Sequence, residues 1–167
     1  MASDCSLASI DLGPPVHISG NNPIELTEET IDDFSVDTRS ITVVCASGDS
    51  HTNEWTGIPI VELIDSAEVP LETTHVTVES TDEYRVAVPI REAIEGLLAF
   101  VKSGVPIAEH HPYANRFVSP VVEGARDIKG VSKIDYWILN PEDHPESLEN
   151  IFPDGERFPA NRMLYDE

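Results

Sequence analysis

Positive charge is what this chain has least of. Ten lysines and arginines stand against thirty-one acids in 167 residues, a formal charge of −21, and only Lys102, Lys129 and Lys133 are lysines. Nucleic acids and anionic membranes are bound through clustered positive charge, so this composition argues against both as general partners. Cysteine is scarcer still, with Cys5 and Cys45 alone. Two cysteines, one of them in a loose leader, make no disulfide framework, and a reducing cytoplasm is the expected location. Met1-Ala-Ser-Asp-Cys-Ser-Leu-Ala8 has neither a basic start nor an apolar core, so it does not read as an export signal. No apolar run is long enough to span a bilayer, and no internal repeat is visible.

What is present suits one globular domain: the length allows a sizeable core, and 40% of residues are hydrophobic. The acids are scattered among apolar positions rather than gathered in a tail. That pattern reads as the solvated shell of a salt-adapted, halophilic protein, with an acidic docking surface for a basic partner as the competing reading. Residues 1–15 read as a leader closed by Pro14-Pro15, residues 16–140 as the domain, and residues 141–167 as an acidic, proline-containing tail packed on it. Ile151, Phe152, Phe158 and Leu164 are the expected anchors of that tail.

Period and punctuation predict the elements. Val16 to Ile18 reads as a strand before the Gly20-Asn-Asn-Pro23 turn, and Thr27 as the N-cap of a short helix over Glu28 to Asp33. Arg39 to Cys45 reads as a strand, and its unbroken Ile41-Thr-Val-Val44 suggests burial on both faces rather than an edge. Trp55-Thr-Gly-Ile-Pro-Ile60 opens a helix that runs from Pro59 to Ala67. His75 to Glu79 and Tyr84 to Val88 alternate as a hairpin about Ser-Thr-Asp-Glu83. From Pro89 the spacing turns helical, with Ile90, Ala93, Ile94, Leu97, Leu98 and Val101 as one stripe that Gly104 stops. Tyr113 to Pro120 and Ser132 to Leu139 supply further strands. Strands and helices without regular βαβ alternation predict an α+β fold.

The segment with most chemical content runs from Cys45 to Trp55, where a strand delivers a thiol into Ala-Ser-Gly-Asp-Ser50. A strand end holds a cysteine stiffly, and small residues after it let a ligand approach the backbone. Alone, such a cysteine reads more readily as a small packed hydrophobe. His110 and His111 are adjacent and so project in different directions. With no third ligand at a spacing that completes zinc, a solvated loop is expected there.

The order of segments resembles the molybdopterin-binding domain of the sulfite oxidase family, over roughly Val16 to Leu139. Val16-His-Ile-Ser-Gly20 and Pro23-Ile-Glu-Leu26-Thr27 resemble its first strand, glycine turn and Pro-x-x-Leu-Thr segment. Cys45 falls where the family places its metal-binding cysteine, and Trp55-Thr-Gly57-Ile-Pro59 with Leu63-Ile64 is similar to its Trp-x-Gly-Val-Pro-Leu and Leu-Leu pair. Ser80-Thr-Asp82-Glu-Tyr84, Leu98-Ala99, Gly104-Val-Pro106-Ile107, Glu109-His110 and Arg116-Phe-Val-Ser-Pro120 follow in order. Gly124-Ala-Arg126-Asp-Ile-Lys129 then resembles the family's Gly-Ala-Arg-x-Val-Lys.

The resemblance implies a sulfite-oxidase-like α+β fold, with mixed sheets and short helices, and a molybdenum–molybdopterin cofactor. It implies oxygen-atom transfer at the sulfur of a small substrate, of sulfite or sulfoxide type. Cys45 would be the metal thiolate, with Ser47 and Gly48 as donors around the metal. Arg126 and Lys129 would hold the pterin's anionic group, and Arg116 would form a cationic, catalytic wall toward substrate. An arginine paired with one of the many acids is the plainer reading of Arg116. The chain shows no haem, flavin or iron–sulfur motif, so an electron partner would be a separate protein. The chain also departs from the family pattern. Only about fifteen residues precede Val16, Asp49-Ser50 stands where an aromatic or basic residue is usual, Pro112-Tyr-Ala-Asn-Arg116 is longer than Gly-Pro-Leu-Arg, and Gly130-Val131 replaces Trp-Leu. A cofactor-free domain of the same fold, acting in binding or assembly, is therefore the alternative function.

Overall fold

A computed structural model describes residues 7, 9–44, 49–120 and 127–151. Two five-stranded sheets carry the architecture. The first comprises β1 (Val16–Ile18), β2 (Ile24–Leu26), β5 (His75–Ser80), β6 (Arg85–Pro89) and β10 (Val131–Trp137), in the order β2-β1-β10-β5-β6. Only β1 and β10 run parallel. The second comprises β3 (Asp37–Val44), β4 (Ser50–Pro59), β7 (Leu97–Lys102) and β8 (Val105–Pro106), in the order β3-β4-β7-β8, with β9 (Arg116–Val118) also on β7. Helices are brief: α1 (Ile60–Ser66) and the single turn α2 (Ile90–Ala93). Mixed sheets with few short helices make this an α+β fold, as the sequence predicts.

The main core lies between the sheets. Val16, Ile18, Val76, Val78, Val86, Val88 and Ile134 of the first share a cluster with Ile58, Leu98, Phe100 and Phe117 of the second, and α1 adds Ile60 and Leu63. The far face of the second sheet carries a smaller cluster of Ile41, Val43, Trp55, Leu97, Ala99, Ile107 and Val118.

Several expectations are corrected. β3 is not buried on both faces, whereas β7 is. β3 stands at the edge and alternates, with Ile41 and Val43 buried while Thr42 and Val44 are exposed. The helical stripe after Pro89 stops at α2. Leu97-Leu-Ala-Phe-Val101 satisfies either period, and pairing with β4 on one side and β9 on the other makes it a central strand. Gly104 ends no helix: Ser103 and Gly104 both take positive φ (52° and 81°) in the two-residue turn joining β7 to β8. Trp55 to Pro59 belongs to the long strand β4, and the helix opens only at Ile60. After Thr27 comes a turn and a brief 3-10 helix over Ile31–Asp33, where Thr27 Oγ1 accepts the Glu29 N–H rather than capping a regular helix.

The described part of the tail covers the open edge of β6. Arg85 and Asn150 exchange both backbone hydrogen bonds at 2.9 Å, and Glu149 accepts the Ala87 N–H. Ile151 is half exposed rather than a buried anchor, while Phe152, Phe158 and Leu164 lie outside the described residues.

Candidate functional site

The far face of the second sheet is where charge collects. β9 and the segment leading into β10 lie side by side: Phe117 N–H donates to Ile128 O at 2.8 Å, Gly130 N–H to Asn115 O at 2.9 Å, and Arg116 pairs with Lys129. Asn115 clamps the pair. Its buried amide donates to Val131 O (3.1 Å) and accepts from Val131 N–H (2.7 Å), so both polar ends of the side chain are satisfied. Two cations thirteen positions apart in sequence thus stand beside each other on one surface.

They border a cavity of about 30 Å³ lined by Trp55, Lys102, Ile107, His111, Tyr113, Arg116 and Lys129. That exceeds the roughly 10–15 Å³ one water requires. Three of the chain's ten cationic side chains line it, and in a protein with thirty-one acids no carboxylate does so among the described residues. Away from the cavity, Arg39 pairs with Asp37 at 2.8 Å, Arg85 with Glu79 at 3.1 Å and Lys133 with Asp135 at 3.7 Å. Arg116 makes no direct ion pair among the described residues. Its Nε instead donates to the main-chain oxygen of Asp127 at 3.3 Å.

Trp55 forms the wall between these charges. It is 2% exposed, and Lys102 Nζ and Arg116 Cζ lie 5.5 and 5.7 Å from its ring centroid, within cation–π range. Its indole N–H is buried without a hydrogen-bond partner. An orphaned buried donor costs about 1–3 kcal/mol, so Trp55 is short of one acceptor. His111 stacks on Tyr113 with ring centroids 5.0 Å apart and faces the same cavity. The expected solvated loop therefore holds for exposed His110 but not for half-buried His111.

Behind Arg116 sits Asp127, 3% exposed. Oδ1 accepts the Ser119 N–H at 3.3 Å, while Oδ2 is buried without a partner. Burial pushes this carboxyl up to about 8, against the opposing pull of Arg116 and the Ser119 N–H. With its proton held, the group does not neutralise Arg116.

Of the residues the sequence singled out, Arg116 and Lys129 are brought together at this cavity. Cys45, Ser47, Gly48 and Arg126 lie outside the described residues. β3 ends at Val44, immediately before Cys45, and its buried residues Ile41 and Val43 belong to the cluster that contains Trp55. Sequence reading missed Trp55 as a site wall, as well as Lys102, His111, Tyr113 and Asp127. The scarcity of lysine was a usable signal, since two of only three lysines line the cavity. The donor set of three cations and an unpaired N–H fits the anionic group of a phosphorylated cofactor.

A search of curated proteins finds no match to the chain. Among solved structures, the sulfane dehydrogenase SoxCD from Paracoccus pantotrophus aligns with a TM-score of 0.69 at 23% identity, covering 88% of this chain and 45% of that one. The likeness is one of fold, and the chain spans less than half of that relative's length. The family model described as "oxidoreductase molybdopterin binding domain" matches residues 15–142. On that match, over most of its length, the chain belongs to the oxidoreductase molybdopterin-binding domain family, the sulfite oxidase family of molybdenum oxidoreductases.

Proposed function

We propose that this domain binds molybdenum–molybdopterin and serves oxygen-atom transfer at the sulfur of a small substrate. The observation that carries the reading is the cavity at Trp55, which three of the ten cationic side chains line in a chain of net charge −21. Lys129 and Arg126 would hold the cofactor's phosphate, a task suited to two bases beside a glycine loop. Cys45 would supply the thiolate, a soft anionic donor that must lose its proton to bind metal. Ser47 and Gly48 would offer a hydroxyl and a backbone donor near that metal. Arg116 would face substrate, its charge preserved because Asp127 is neutral. When bound, the cofactor supplies the two-electron oxygen-transfer chemistry itself. The residues around it supply binding, orientation and charge. Sulfite fits the cationic wall as an anion, and a sulfoxide would present its dipolar oxygen to the same groups. The fold relative is named a sulfane dehydrogenase, which agrees with chemistry at sulfur. Electrons would pass to a separate protein, and the acidic shell fits a salt-rich cytoplasm.

Elemental analysis tests this reading on protein made in a salt-tolerant host that synthesises molybdopterin. Near one molybdenum per chain, lost in Cys45→Ser, is the expected result. A well-folded protein without metal would instead favour the cofactor-free domain acting in binding or assembly.

A further inference from the structure

Arg116 opens a strand of three residues, too short to fix by itself where a long side chain stands. Its neighbours fix it. On one side β9 pairs with β7, with Arg116 opposite Ala99 and Phe117 opposite Leu98. On the other it pairs with the segment entering β10, where the Phe117 N–H meets Ile128 O and the Gly130 N–H meets Asn115 O on either side of the Arg116–Lys129 bridge. Past Gly130, Val131 turns its N–H and C=O toward the Asn115 side chain, which satisfies both. Oδ1 accepts the N–H at 2.7 Å and Nδ2 donates to the C=O at 3.1 Å. A side-chain amide offers an acceptor and a donor, as a peptide group in a ladder does, so Asn115 adds one side-chain rung to the backbone pairing. The residue is 3% exposed, which keeps water from competing for those bonds.

The rung also locks the direction in which Arg116 projects. Slippage of β9 by one residue would turn Phe117 toward the cavity and Arg116 into the core between the sheets. Packing is tight on either side of the rung. A Cβ on Gly130, which takes a φ of +71°, would stand 3.2 Å from Tyr113 Cβ, and one on Gly13 would stand 2.9 Å from Ala114 Cβ. Held in this register, the Arg116 guanidinium lies 5.7 Å from the Trp55 ring centroid, and its Nε donates to Asp127 O. We propose that Asn115 is a positioning residue, whose amide fixes the register of β9 against residues 127–131 and so sets Arg116 over Trp55, facing substrate. The proposal rests on the reading in which Arg116 is the substrate-facing cation.

The chain has two tryptophans, so Trp137→Phe leaves Trp55 as the sole indole, and near-ultraviolet circular dichroism then reports on the ring beneath Arg116. In that background Asn115→Ala should reproduce most of the spectral change caused by Arg116→Met, and the double variant should add little to either, because one residue acts through the other. Leu26→Ala, a core truncation in the first sheet, should lower stability and leave the indole spectrum unchanged. Asn115→Asp carries the test if the alanine variant does not fold. When protonated, its carboxyl again offers one donor and one acceptor, so its spectrum should match the parent at acid pH and depart as pH rises. Four results would overturn the assignment: folded Asn115→Ala with the parent's spectrum, effects of Asn115→Ala and Arg116→Met that simply add, an equal change in Leu26→Ala, or an Asn115→Asp spectrum that departs as much at acid as at alkaline pH. On molybdenum-loaded protein turning over sodium sulfite with ferricyanide as electron acceptor, Asn115→Ala should lower kcat/KM about tenfold, and should lower it no further once Arg116 is Met. Molybdenum content is measured on the same samples. The oxidoreductase reading then fails on metal or turnover, and the Asn115 assignment on the indole spectrum of metal-free protein, so the two failures are distinguishable.

Discussion

The two faces of the second sheet are made by the same strands and do opposite work. On one face Ile58, Leu98, Phe100 and Phe117 close against the first sheet, all at most 1% exposed. On the other, alternate residues of the same strands bring Trp55, Arg116 and, past a bulge at Phe100, Lys102 to a cavity where like charges gather and an indole N–H goes unpaired. Arg116 and Phe117 are neighbours in sequence and belong to different regimes. The first face is stabilised by burial of apolar area. The second gathers three cationic side chains around a buried indole N–H without a hydrogen-bond partner, the pattern expected of a surface shaped for a ligand rather than for stability.

The contrast breaks most visibly at Phe117. Phe117→Ala should cost about 3–5 kcal/mol in urea unfolding, because a fully buried ring is replaced by a cavity between packed sheets. A loss near 1 kcal/mol or less would mean that the sheets close over the gap and that the core face is as yielding as the other.

The next largest effect concerns Asp127. In the unfolded chain its carboxyl titrates near 3.8, and in the fold it holds its proton up to about 8. Between those values the folded state keeps a proton that the unfolded state has released. This group's contribution to stability is thus complete at acid pH, declines as pH rises, and levels off above the folded value. At about 1.4 kcal/mol per unit, the decline amounts to roughly 4 kcal/mol between about pH 5 and 8. Asp127→Asn, which cannot ionise, should remove that slope and be the more stable protein at alkaline pH, as read by denaturant midpoints across the range. Parallel slopes in the two proteins would show that Asp127 is ionised in the fold and neutralises Arg116, which would erase the electrostatic contrast between the faces.

How much of this arrangement the sequence disclosed depended on whether the signal was local. The hairpin from His75 to Pro89 was legible because alternation and a turn cluster specify it without reference to anything distant. Helix α1 was legible for a similar reason, with Pro59 before it and Ile60 and Leu63 on its buried face. Leu97 to Val101 was not, since an unbroken apolar run fits two periods and only the neighbouring strands decide between them. β3 and β7 were confused in the same way, because the chemistry of Ile41-Thr-Val-Val44 cannot say whether a partner lies on both sides. At the site, Arg116 and Lys129 were found through family motifs and proved adjacent. Lys102 was beyond reach: a one-residue bulge at Phe100 chooses its face, and no period or motif marks that bulge.

Lys102→Met sharpens the comparison at its smallest scale. A partly exposed ammonium over an indole contributes about 0.5–1 kcal/mol of cation–π energy, offset here by proximity to other cations at the cavity. Methionine keeps most of the aliphatic stem and packs well against aromatic rings. The variant should therefore unfold within about 0.5 kcal/mol of the parent in denaturant titrations. A variant that is less stable by about 2 kcal/mol would show that Lys102 is a structural strut of the sheet end. Its aim into the cavity would then reflect packing, and the two faces of the sheet would differ less than their charges imply.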